Sequence, residues 1–124
     1  MTRSAIALGL CLLATQAMAD DTNSMVIRPE APLSVYLAMA RGQGLLDTGD
    51  LTGARRLLAV GAAAGIPSAA RSMAQSYDPV WLVKHGAMGI DWLADPEKAI
   101  SWYQIAADLG DDYSAHYLLN WTEK

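Results

Sequence analysis

The sequence predicts an all-α fold: a short α-solenoid of about two antiparallel helix hairpins with a C-terminal capping helix. Small and apolar residues recur three and four positions apart through most of residues 33–121, the spacing of one helix face. Asp, Pro and Gly interrupt that pattern where helices start and stop. One helical segment also returns in step 45 positions later, with its cap and its terminating glycine.

Residues 1–19, MTRSAIALGLCLLATQAMA, read as a cleaved secretory signal. Arg3 supplies the charged start, residues 5–14 the apolar run, and Ala17-Met18-Ala19 the cleavage site. The run falls short of the roughly 20 apolar residues that span a bilayer. Leu10 precedes Cys11 where a lipoprotein signal has a small residue, and Arg3 has no twin, so the simple secretory route is expected, with a periplasmic product. No stable membrane insertion is expected after cleavage. The mature chain from Asp20 contains no cysteine, so it relies on packed helices or a partner rather than disulfides. Loss of Arg3 leaves eight basic against thirteen acidic side chains, a formal charge of −5. That balance lacks the basic stripe a phosphate backbone requires, so nucleic acid is not an expected partner.

Residues 20–31 form a polar leader, and the repeat domain is expected over 32–124. Pro32 suits a first helical turn, and LSVYLAMARGQGLL then places Leu33, Leu37, Ala40 and Gly44 on one expected buried face. DTGD at 47–50 is a turn, with Asp50 as N-cap. The following helix is expected to bury Ala54, Leu57, Leu58 and Ala62, ending at Gly65 with Pro67 just beyond. SAARSMAQSY sets Ala70, Met73, Ala74 and Tyr77 on one face. Residues 78–94, DPVWLVKHGAMGIDWLA, are the least regular stretch and are expected as an irregular interruption. Asp95, Pro96 and Glu97 open the next helix, Gly110 closes it, and a final helix runs over about 112–122.

The repeat is explicit. Asp50, Ala54, Leu57, Leu58, Ala62 and Gly65 return as Asp95, Ala99, Trp102, Tyr103, Ala107 and Gly110; Ala70 and Met73 return as Ala115 and Leu118. Repeat one is expected over 33–68 and repeat two over 69–111. Small alanines let helices approach closely while large residues fill the groove between hairpins.

These residues resemble the Sel1-like repeat, a tetratricopeptide-related helix hairpin. The likeness is carried by Ala70, Ala74 and Tyr77, by Gly86 and Gly89-Ile90, and by Asp95, Lys98-Ala99, Trp102-Tyr103, Ala106-Ala107 and Gly110. It covers residues 69–115 well. Residues 33–68 keep Leu37, Gly44, Asp50, Ala54, Ala62 and Gly65 but lack the Lys-Ala and Trp-Tyr pairs. Repeat two is longer than such repeats usually run, about 34 to 40 residues. The resemblance implies a scaffold for protein complexes, chiefly adaptors. The disulfide-rich members linked to β-lactam chemistry are a poor match for a mature chain without cysteine.

No catalytic, cofactor or metal constellation is legible. His85 and His116 stand without a nucleophile setting or a set of zinc ligands. Asp108, Asp111 and Asp112 lack a calcium-loop order, and the glycines lack a phosphate-loop order. Recognition has more support. Trp81 and Trp92, with Leu82, Val83, Ile90 and Leu93, load the 78–94 stretch with apolar mass that either folds back as a satellite core or leaves a tryptophan to anchor a partner. His85 lies beside them, and Tyr117 and Trp121 mark the C-terminal edge. Tyr36, Met39 and Arg71 are lesser candidates. The expected function is therefore an exported, non-enzymatic interaction module for an unknown protein or peptide. A self-associating structural unit, or an accessory to a cell-wall-acting enzyme, is the alternative.

Overall fold

The computed structural model describes residues 31–86 and 93–121. The expected signal peptide, most of the leader, Gly89-Ile90, Trp92 and residue 122, the expected end of the final helix, lie outside them. The described residues form six helices and no strand: α1 (Leu33–Asp47), α2 (Leu51–Ala63), α3 (Pro67–Tyr77), α4 (Pro79–Lys84), α5 (Pro96–Asp108) and α6 (Asp112–Trp121). The fold is all-α, and among the described residues no helix is long and apolar enough to cross a membrane.

Local chemistry sets the boundaries. The Asp50 and Asp95 side chains accept from the third backbone N–H of α2 and α5, at 3.0 and 3.2 Å. Each bond satisfies a donor that the first helical turn leaves without a partner. After α2 and α5 the chain turns through Gly65 and Gly110, at φ of +77° and +106°, where a Cβ is disfavoured. The next residue then bonds back into the helix, Ile66 N–H to the Gly61 carbonyl and Asp111 N–H to the Ala106 carbonyl. These two closures also lie 45 positions apart. Turns of three residues join α1 to α2, α2 to α3 and α5 to α6, and each helix packs on the next. Beyond the short α4, α3 packs on α5.

Small residues let these helices meet. Ala54, Ala69, Ala70, Ala74, Ala99 and Ala106 are completely buried. Around them Leu46, Leu51, Leu58 and Leu82 fill one cluster, with Met73, each such leucine contributing about 1.5–3 kcal/mol of apolar burial. Tyr103, also fully buried, centres a second cluster with Ala74 and Ala99. Trp102 is half-buried between the two.

Several expected faces are corrected. Helix α1 turns Val35, Gly42 and Leu46 inward, and leaves Leu33 and Leu37 at 72% and 62% exposure. Gly42 decides the phase, because a Cβ there would come within 3.0 Å of Leu58 and 3.1 Å of Leu57; α2 lies directly on it. In α2 the fully inward positions are Leu51, Ala54, Leu58 and Gly61, while Leu57 and Ala62 are half-buried. Ala115 is exposed although its repeat partner Ala70 is buried, and Ser114, in step with Ala69, is the buried residue of α6. The 78–94 stretch is not wholly irregular: Asp78 caps Val80 N–H at 2.9 Å and Pro79 opens α4.

Candidate functional site

Several residues that shape a surface concavity are fixed by a buried carboxylate. Asp78, between α3 and α4, is completely buried. Its Oδ1 accepts from Val80 N–H, and its Oδ2 accepts from the hydroxyls of Tyr103 on α5, at 2.9 Å, and Tyr117 on α6, at 2.6 Å. One side chain thus ties α4, α5 and α6 together. Burial, and then the neighbouring Asp78 charge and hydrogen bond, push both phenols well above the usual tyrosine range. They stay neutral donors at any physiological pH.

A second tie lies beside it. Arg55 of α2 donates from Nε to Ser76 Oγ at 3.2 Å, and from Nη2 to the carbonyls of Ser76 and of Leu93, the latter at 2.8 Å. Its guanidinium also sits 3.8 Å from the Tyr77 ring centre. Desolvation lowers its pKa, partly offset by Tyr77 and Asp95. Asp95 N–H donates to the Tyr77 carbonyl at 2.8 Å. Together these bonds hold the start of α5 against the end of α3.

The elements so positioned enclose a cleft of about 490 Å³. Its walls come from Gln43 on α1, Arg71, Ser72 and Gln75 on α3, Val80, Trp81 and Lys84 on α4, His85 at the end of α4, and Tyr113 and Tyr117 on α6. A smaller cleft of about 280 Å³ adjoins it through the shared Gln43, Arg71 and Ser72 and reaches Tyr36 and Met39. Helices α1, α3, α4 and α6 therefore line two neighbouring clefts that share Gln43, Arg71 and Ser72.

Each wall is held from behind. Trp81 packs with one side on the Leu82 core cluster and stacks on the His85 ring at 3.9 Å. His85 Nδ1 lies 2.9 Å from the Trp81 carbonyl, which can only accept, so Nδ1 carries the proton. Arg71 pairs with Asp111 at 3.3 Å and lies 5.4 Å from the Tyr113 ring centre. Asp111 in turn accepts from Ser114 N–H and Oγ, fixing the start of α6. Ser72 Oγ donates to Gln43 Oε1 at 2.8 Å, bridging α3 and α1.

The structure thus brings Trp81, His85 and Tyr117 to one cleft and Tyr36 and Met39 to its neighbour, with Arg71 lining both. Trp121 does not line either cleft. It is half-buried, 6.3 Å from the Tyr103 ring and 5.7 Å from that of Tyr117, inside the second core cluster. Trp92 lies outside the described residues. His116 is exposed on α6. Sequence reasoning missed Gln43, Gln75 and Lys84 as lining residues, and Asp78 and Arg55 as their supports. Asp78-Pro79 is the same helix-opening pair as Asp95-Pro96, a signal that marks both α4 and its capping carboxylate.

Among the described residues no group of three or more His, Cys, Asp or Glu side chains is placed to hold a metal ion. No protein-family model, curated protein or solved structure matches the chain.

Proposed function

We propose that the chain is an exported interaction module of the Sel1-like kind, which holds an extended segment of a protein partner along its concave surface. In this reading α1 with α2 and α3 with α5 are two hairpins of a short solenoid, α6 caps the second, and α4 is an insertion that deepens the groove. The observation that carries it is the pair of neighbouring clefts lined by α1, α3 and α6, the first helix of each hairpin and the cap, and by the inserted α4. The paired caps at Asp50 and Asp95 and the paired turns at Gly65 and Gly110 support the repeat. An aromatic side chain rooted in the core and open on one side, as Trp81 is, suits an anchor at a binding hot spot. The charged start, apolar run and Ala17-Met18-Ala19 of residues 1–19, read as a secretory signal, support a periplasmic site of action.

The test is a photo-crosslinking residue at Val80, which lines the cleft at 45% exposure, against one at Val60, which is 42% exposed on α2 and lines neither cleft. A defined heterologous adduct at Val80 and not at Val60 is expected from intact cells. Equal adducts at both sites, or none at Val80, would overturn the reading. Self-association is a second reading, favoured by Leu33, Leu37 and Leu119 at 72%, 62% and 70% exposure on the first and last described helices. A solution mass of a dimer or larger species, reduced by Leu37→Gln, would establish it.

A further inference from the structure

The cleft carries a charge bias opposite to that of the chain. With nine basic and thirteen acidic residues the formal net charge is −4. Yet none of the eight carboxylates among the described residues lines either cleft. All eight lie at helix ends or in turns, where Asp50, Asp78, Asp95 and Asp111 are occupied as caps. The ionisable groups other than phenols that do line the clefts are Arg71, Lys84 and His85, each basic. Arg71 is partly neutralised by Asp111, whereas Lys84 is exposed and in no ion pair among the described residues. Gln75, which lines the same cleft, makes no side-chain hydrogen bond among the described residues, leaving a neutral donor and acceptor for a backbone.

Resting on the proposed interaction function, we infer that the occupant of this cleft is an acidic, extended peptide segment carrying a large apolar side chain. Its carboxylates lie against Lys84 and Arg71, and its apolar side chain lies on Val80 and Trp81. Complementary charge of this kind steers encounter and excludes basic competitors more than it adds affinity. Two neighbouring clefts that share Gln43, Arg71 and Ser72, the second lined by Tyr36 and Met39, suit an extended chain better than a compact ligand. Two cationic side chains, Arg71 and Lys84, are too few for a nucleic-acid backbone, which is bound through several phosphates at once.

The experiment uses the purified full-length chain and dye-labelled dodecapeptides of one scaffold with a single central leucine and four Glu, four Gln or four Lys. A dT12 oligonucleotide serves as the polyanion arm. A random dodecapeptide library is also cross-linked through the residue introduced at Val80. The Glu peptide is expected to bind about tenfold tighter than the Gln peptide, with the Lys peptide weakest. Raising salt is expected to narrow the gap, and Lys84→Gln, an exposed change, to cut Glu-peptide affinity about three- to fivefold. Library peptides that cross-link at Val80 without acidic enrichment would overturn the acidic assignment and leave the interaction function standing. The absence of any Val80-linked peptide would sink both. A dT12 affinity equal to that of the Glu peptide would overturn the assignment in favour of a general polyanion site.

Discussion

Tyr103→Phe removes one oxygen from the centre of the molecule and keeps the ring, so it opens no cavity large enough to matter. Its cost is the bond from a fully buried hydroxyl to Asp78 Oδ2 at 2.9 Å. Hydrogen bonds to a charged partner contribute about 1.5–3 kcal/mol. Asp78 keeps Tyr117 at 2.6 Å and Val80 N–H at 2.9 Å, so the carboxylate is not stripped, and about 2 kcal/mol is the expected loss. For a domain of this size each kcal/mol lowers the melting temperature by about 4–8 °C, which gives a fall of about 8–16 °C. Urea unfolding followed by far-ultraviolet circular dichroism measures the free energy, and a thermal scan measures the shift. Tyr117→Phe is expected to cost about 1 kcal/mol, since that residue is half-buried and water can take its place. In the double variant the losses are expected to exceed their sum, because Asp78 is then left with its backbone donor alone. A Tyr103→Phe loss below about 0.5 kcal/mol, the size of an ordinary surface change, would refute the role given to Asp78 as the tie between α4, α5 and α6.

Three further outcomes are expected. Arg55→Met, which keeps the stem but forfeits the bonds to Ser76 and Leu93, should cost about 2–3 kcal/mol in the same urea assay, and Arg55→Lys should recover only part of it. Gly44→Ala meets nothing within 4 Å and should stabilise by about 0.5–1 kcal/mol, whereas Gly61→Ala would place a methyl 2.6 Å from Ala69 Cβ and should destabilise by about 1–3 kcal/mol. The raised phenol pKa values of Tyr103 and Tyr117 mean that their contribution is whole below about pH 10, the unfolded tyrosine value, and is lost as the pH rises above it. Urea midpoints should therefore fall between pH 9 and pH 11 in the wild type, and fall less in Tyr103→Phe.

What was legible in the sequence divides along a physical line. The caps at Asp50 and Asp95, the turns at Gly65 and Gly110, and the length of α5 follow from bonds made within a few residues of one another, so composition and order declare them. The phase of α1 does not follow in that way. Leu33 and Leu37 offered as good an apolar stripe as Val35 and Leu46, and the choice rests on Gly42, which matters only because Leu57 and Leu58 lie on it. The burial of Asp78 depends on hydroxyls 25 and 39 positions away, a distance at which no local pattern speaks. Ala115 shows the limit of the repeat itself: its counterpart Ala70 is buried between neighbouring helices, while no described helix covers Ala115. In the cleft, Trp81, His85 and Tyr117 were conspicuous as large or titratable residues on helices or beside them. Gln43, Gln75 and Lys84 are ordinary surface residue types, and only the convergence of α1, α3 and α4 gives them a shared address.

The most direct test of the central claim is a titration. Once the adduct at Val80 has identified a partner segment, a synthetic peptide of that segment is titrated into the wild-type chain, into Lys84→Glu and into Val60→Glu. Binding weakened about tenfold or more by Lys84→Glu and unchanged by Val60→Glu is the result predicted for a segment held in the cleft. Equal affinity for all three proteins would contradict it.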